Sequence, residues 1–277
     1  ANLFFIKLNF EQLKKKYNIV DGHALTTVTA LLIAANIYEL TAPKKIIIPK
    51  ITISGAMLYY NLLKDKNSII LEHTEILYQN VISSAFMIAR KFNSHYEHIS
   101  QVRKLCVQLF KKMQETYQFE EKELLYLEAA AILHDIGKYI NFKNHHRHSE
   151  SLLEASEIIG LNRAEMRIIG LISRYHRKNT PKESHNNYNL LNLKERNTVS
   201  RLAAILKICD ALDSLFPVQA QTVEFNLIDN ALEITVKLAN AGVDFFDLLK
   251  INLNNKGDYF EKFFGLELIL NKPINTN

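Results

Sequence analysis

The sequence predicts a mainly α protein, with a mixed helix-and-strand segment before the helices and a small α/β segment after them. Three observations carry that reading. Apolar residues recur at helical spacing almost without interruption from Ile69 to Pro217. Beyond Pro217 the pattern changes to strict alternation in VEFNLID and ALEITVKLA, joined through Asp229-Asn230 as in a hairpin. Before Ile69 lies a polar break, Lys64 to Ser68, the best linker in the chain. The domain boundaries expected are therefore 1–66, 67–219 and 220–277.

Taken in order, the first segment joins a long apolar helix, a strand at Ile46 to Pro49 and a closing helix in GAMLYYNLL. Ala24 to Leu40 is too short, and too interrupted by Asn36 and Glu39, for a membrane span, so a buried helix is expected there. Helices follow at Ile69–Phe92, His95–Tyr117, Glu120–Ile136, Ser149–Ile159, Arg163–Tyr175 and Lys194–Leu215. The HHRHS run reads as a basic, histidine-rich loop, and 177–188 as a polar loop. After the hairpin come a short helix around Phe245–Leu249, then FEKFFG, then a strand in LELIL.

With 277 residues, 48% of them hydrophobic, the chain can bury a sizeable core. Its first ten residues lack the basic start and cleavage site of a secretory signal, and Cys106 and Cys209 each fall inside an amphipathic helical pattern. Reduced core cysteines in a cytoplasmic protein are expected, without zinc or redox spacing.

The chemistry concentrates in AAAILHDIGK, where His134 and Asp135 sit side by side at a helix end and Gly137 breaks the helix. An imidazole and a carboxylate leaning toward one point suit a divalent cation such as Mn, Mg, Fe, Ni or Zn. The bland alternative is a helix C-terminus whose His and Lys complement the dipole. Further candidates are His98 upstream; then His145, His146 and His148 in HHRHS; then His176 in RYHRK; and finally Asp210 in KICDALD. Singly, each has an ordinary structural role open to it, Asp210 as an arginine partner and His95 or His98 as a cap. Cations fall on the same segments: Lys138, Lys143 and Arg147, then Arg174, Arg177, Lys178 and Lys182. The net charge is +5. A basic rim around a metal centre favours phosphate-bearing anions, with Arg147, Arg174, Arg177 and Lys178 as the binding surface. No stacking-aromatic motif accompanies these cations, so nucleic acid is the weaker reading.

The order H…HD…H…H…D resembles the HD superfamily of metal-dependent phosphohydrolases. The resemblance implies that His98, His134, Asp135 and Asp210 hold one metal. His148 and His176 would hold a second, with the choice of histidine in HHRHS left open. More closely, HDIGK, HHRHS, RYHRK, LAAILKICDALD and FEKFFGLEL resemble the C-terminal half of the exopolyphosphatase / guanosine pentaphosphate phosphohydrolase family, from about Gly22 onward. The family's actin-like half, with its glycine-rich phosphate loops, has no counterpart here. The chain contains only 8 glycines, and none opens a phosphate-cradling turn in its first 70 residues. Residues 1–66 then resemble a remnant of the actin-like core, whose incomplete sheet implies a homodimer or a missing partner. Three functions follow as expectations: a metal-dependent phosphohydrolase with Asp135 and Lys138 in catalysis, a non-catalytic polyphosphate- or nucleotide-binding module, or a folded relic.

Overall fold

A computed structural model describes residues 69–177, 180–213, 220–238 and 243–271, together with isolated positions between 33 and 42. Contacts divide the chain into two units, Ala1–Ile53 and Ser54–Asn277. Helices and C-terminal strands share the second. The expected strand at Ile46–Pro49 and the GAMLYYNLL helix lie outside the described residues, as does most of the remnant on which the dimer expectation rested. The described positions at 33, 36, 37 and 39–41 are helical. Ile33, Ile37 and Leu40 are nevertheless exposed. The buried helix expected there is thus corrected at these three positions: they form one stripe, spaced i, i+4, i+7, that no described residue covers.

The second unit is mainly helical: α1 (Ile69–Lys91), α2 (Tyr96–Tyr117), α3 (Glu121–Leu133), α4 (His145–Glu154), α5 (Arg163–Arg174), a single turn α6 (Asn186–Asn189) and α7 (Leu193–Asp213). After α7 come β1 (Ala220–Ile228), β2 (Ala231–Leu238), α8 (Val243–Phe264) and β3 (Glu267–Asn271). Two helices are central. From Tyr126 to Leu133, α3 is buried on every side, and so is α7 from Leu202 to Asp213. A helix apolar all round must be enclosed by others. Around them pack α1, α2, α5 and α8, with α2 contributing the stripe Ile99, Val102, Leu105, Cys106, Leu109, Phe110 and Met113.

Buried carboxylates on these helices are paired. Glu123 accepts from Arg201 and Thr198, Glu128 from Arg103 and Tyr78, and Glu150 from Arg174 and Asn187. Unpaired, each would cost several kcal/mol of desolvation.

Two boundaries differ from the sequence reading. HHRHS is not a loop: α4 begins at His145, behind Asn144 in the left-handed region at φ 62°. His145 and His146 are buried, which favours ordered backbone over a solvated loop. The C-terminal helix is also longer than expected, one rod of 22 residues. Leu249, Leu253, Phe260 and Phe264 keep helical register through Asn254-Asn255-Lys256-Gly257 and are buried. Gly257 has a packing reason, since a Cβ there would stand 2.7 Å from Leu268 Cδ1. Gly265, at φ +68°, ends the helix.

The strands lie in the order β1-β2-β3, with β1 and β2 antiparallel and β2 and β3 parallel. The hairpin turns at Asp229-Asn230 as the sequence predicts, with Ile228 opposite Ala231 and Asp229 at φ 49°. Leu232, Ile234 and Val236 form the buried face, and α8 is the crossover that the parallel pair requires. Among the described residues, no helix is long and apolar enough to cross a membrane.

Candidate metal centre

The α3 helix stops at Leu133, and His134 follows at its C-terminal boundary with αR backbone angles. Asp135 leaves the helix at φ −103°, ψ 0°, and a 3-10 turn, Ile136–Tyr139, leads away. Gly137 is where that turn crosses the start of α4. A Cβ on Gly137 would fall 2.1 Å from the His145 carbonyl oxygen and 2.5 Å from the Ser149 nitrogen, both backbone atoms. The crossing is tied by Ser149, whose hydroxyl accepts from Gly137 N (2.9 Å) and donates to the His134 carbonyl (2.6 Å). Glycine at 137 therefore brings the start of α4, with its histidines, against the HD turn.

Four histidines then share one geometry. His134 donates from Nδ1 to the Ala131 carbonyl (2.8 Å), His145 to the Phe142 carbonyl (2.9 Å) and His176 to the Ser173 carbonyl (2.5 Å). His98 turns Nδ1 to the Asp213 carboxylate. With Nδ1 engaged, each ring presents Nε2 to the interior. The four Nε2 atoms meet in two pairs, His98 with His134 and His145 with His176, each 3.2 Å apart. Facing imidazole lone pairs repel unless a proton or a cation lies between them. Second partners that fix the tautomer in this way are the usual support of metal-binding histidines.

Asp135 lies between the pairs. One carboxylate oxygen, Oδ2, is 3.4 Å from His98 Nε2 and 3.5 Å from His134 Nε2. The other, Oδ1, is 3.2 Å from His145 Nε2 and 3.9 Å from His176 Nε2. Asp210 Oδ1 stands 3.7 Å from His98 Nε2 and 3.6 Å from His134 Nε2. Donor atoms within cation-sharing reach form two sets, His98 with His134 and Asp210, and His134 with Asp135 and His176. Nitrogen and carboxylate donors at these separations fit divalent cations.

Electrostatics follow from the crowding. Burial opposes protonation of His98, but hydrogen bonds to Asp135 and Asp213, with the added charge of Asp210, hold its pKa up at about 9. Burial, aided by His134, pushes His176 well below the ordinary imidazole value. Burial would raise Asp135, yet His134, His145 and His98 keep its carboxyl well below the usual range. Asp210 is likewise lowered against its burial, first by Lys256 and then by His134.

The structure thus brings together His98, His134, Asp135, Asp210 and His176 from the sequence-derived set. His145, not His148, meets His176. His148 is only half-buried, and among the described residues no contact joins its ring to the cluster. His145 is the first residue of α4 and is buried against the HD turn, whereas His148 lies one turn further along the helix. Lys138 ion-pairs with Asp135, and its ammonium lies 5.3 Å from the centre of the Phe142 ring. Of the expected anion surface, Arg147 is exposed, Arg177 is half-buried and Arg174 is bound to Glu150. Lys178 lies outside the described residues. Sequence reasoning did not find Asp213 as the partner of His98, nor Lys256, whose Nζ is 2.5 Å from Asp210 Oδ2. Lys256 comes from α8, and no local motif marks it.

Residues 82–257 match the family described as Ppx/GppA phosphatase, domain III. The chain belongs to that family. The match runs from the middle of α1 through the other helices and the first two strands to Gly257 in α8. A guanosine-5'-triphosphate,3'-diphosphate pyrophosphatase of Aliivibrio fischeri (strain MJ11) is 27% identical over 164 residues, covering 57% of this chain and 31% of that relative. The protein of the same name in Pseudoalteromonas translucida (strain TAC 125) is 28% identical over 93 residues, 33% of this chain and 19% of its own length. The chain thus spans about a third or less of the relatives it matches.

Proposed function

We propose that this Ppx/GppA-family domain is an HD-type phosphohydrolase centre that uses divalent cations to act on a phosphate ester or phosphoanhydride of the polyphosphate or guanosine polyphosphate class. The observation that supports it best is the Asp135 carboxylate, with one oxygen toward each pair of inward-facing imidazoles. His98, His134, Asp135 and Asp210 would hold one cation, and Asp135, His145 and His176 a second. Cations bound there would supply Lewis acidity toward a phosphoryl oxygen and make water a nucleophile near neutral pH. Asp135 would hold that water in place as well as the cations. His134 and His176 keep their Nε2 lone pairs free through their Nδ1 bonds. Lys138, at the rim, offsets negative charge gathering on the phosphoryl group, while Arg147, Arg177 and Lys178 attract the anion.

The test is metal content and phosphate release, with Mn or Mg supplied, for the unmodified chain and for Asp135→Asn, His145→Ala and His148→Ala. We expect Asp135→Asn and His145→Ala to lose most bound metal and activity, by about 10- to 100-fold or more, and His148→Ala to keep both. Equal losses in His145→Ala and His148→Ala would defeat the two-cation assignment. A second reading rests on the partial coverage of the relatives: the domain is a regulatory module that binds phosphate anions without hydrolysing them. Metal and anion binding without phosphate release would favour it.

A further inference from the structure

Lys207 is a charged residue in an unusual position. It lies on α7 one turn before Asp210 and is 2% exposed. Among the described residues, the buried carboxylates Glu123, Glu128, Asp135, Glu150, Glu165, Asp210 and Asp213 each meet a cation, an imidazole or a hydrogen-bond donor. Lys207 meets no acid among the described residues. Its ammonium lies 5.0 Å from the centre of the Tyr259 ring, and the nearest charge acting on it is another ammonium, Lys256. A ring face returns only part of what burying an ammonium costs.

The four groups form a constellation. Lys207 and Asp210 are three residues apart on α7, and Lys256 and Tyr259 three apart on α8, so each pair shares a helix face. These faces meet where α7 packs on α8. Asp210 Oδ1 turns toward His98 and His134 while Oδ2 holds Lys256. Lys256 therefore has the Asp210 carboxylate to balance it, whereas Lys207 has Lys256 as the charge acting on it. A divalent cation drawing on Asp210 would weaken the one anion that balances Lys256, next to a buried Lys207 with no acid of its own among the described residues. Lys256 and Tyr259 are only partly buried, which opens the α8 side. We propose that Lys207 and Lys256 form an oxyanion subsite on the α7–α8 seam, which takes a phosphate group of the substrate once a divalent cation engages Asp210. This rests on the metal reading above. It adds that the C-terminal helix, through Lys256, contributes to phosphate recognition. It also accounts for a buried ammonium kept at a cost to stability: burial and Lys256 hold its pKa down to about 8, and a bound anion would raise it again.

The test uses the full chain with tripolyphosphate as probe. Calorimetric titration is run with and without saturating Mn, and Mn binding is measured separately, for the unmodified chain, Lys207→Met and Lys256→Met. We expect tripolyphosphate binding to require Mn, and both variants to weaken it by about tenfold or more. Lys207→Met should also melt higher than the unmodified chain without ligand, as a functional charge with no structural partner predicts. Unchanged tripolyphosphate affinity in either variant overturns the subsite, and so does a lower melting temperature for Lys207→Met with its anion affinity retained. If Lys207→Met does not fold, Lys256→Met decides alone. Mn binding with unaltered anion affinity in the variants sinks this inference and leaves the metal centre standing. Absence of Mn binding sinks both.

Discussion

At the scale of single residues, the site depends on where each imidazole proton goes. His134, His145 and His176 each return Nδ1 to a carbonyl three residues earlier, so local backbone aims Nε2 before any distant contact forms. Lys207 carries a prediction of its own. Its folded pKa of about 8 lies below the lysine value of 10.5. The folded state therefore binds fewer protons than the unfolded state between those values, and the penalty is fully present below pH 8. It is lifted as the pH rises toward 10.5. Lys207→Met should accordingly be more stable than the unmodified chain at pH 7, by on the order of 2–3 kcal/mol. That advantage should vanish by about pH 10.5, as urea unfolding at the two pH values will read. An advantage independent of pH would mean that Met packs better, with no charge effect.

At the scale of elements, the decisive feature is the crossing of the 3-10 turn with α4. Gly137→Ala puts a methyl group against two backbone atoms, which have no flexible end to yield. We expect it to destabilise by about 1–3 kcal/mol or more. It should also lower metal affinity, since relief of the clash moves His145 away from Asp135. Denaturation together with Mn titration separates these effects, and a variant with unchanged metal affinity would show that the crossing does not position the site. Helix periodicity found α1, α2, α3, α5 and α7 to within a few residues, because apolar spacing is a local property. It misplaced the start of α4, because polar histidines that turn inward look like a loop. It also divided α8, because Asn and Gly in sequence resemble a break while Leu253 and Phe260 hold the register in space.

For the whole molecule, α8 joins the strands to the helices. Phe260 is fully buried and packs on Phe264 with ring centres 4.7 Å apart. Phe264 in turn meets Tyr117 of α2 edge-on at 4.8 Å. Phe260→Ala should cost about 3–5 kcal/mol. Because α8 packs on α7, that loss should lower one shared transition. Far-ultraviolet and tyrosine near-ultraviolet dichroism should still melt together. Two separated transitions would show that the strands with α8 fold apart from the helices.

The sequence by itself determined the mainly α class, the hairpin at Asp229-Asn230, the family resemblance and the linear order of His98, His134, Asp135, His176 and Asp210. Each is written in local periodicity or in a short motif. Tertiary structure alone decided that His145, and not His148, faces His176, because which histidine of HHRHS lies nearest the HD turn depends on a helix whose start was not legible. It alone joined Asp213 to His98 and Lys256 to Asp210, pairs separated by 115 and 46 residues. No local pattern encodes such pairs. They exist because α2, α7 and α8 bury their apolar faces against one another, and the charges carried on those helices must then find partners where packing has left them.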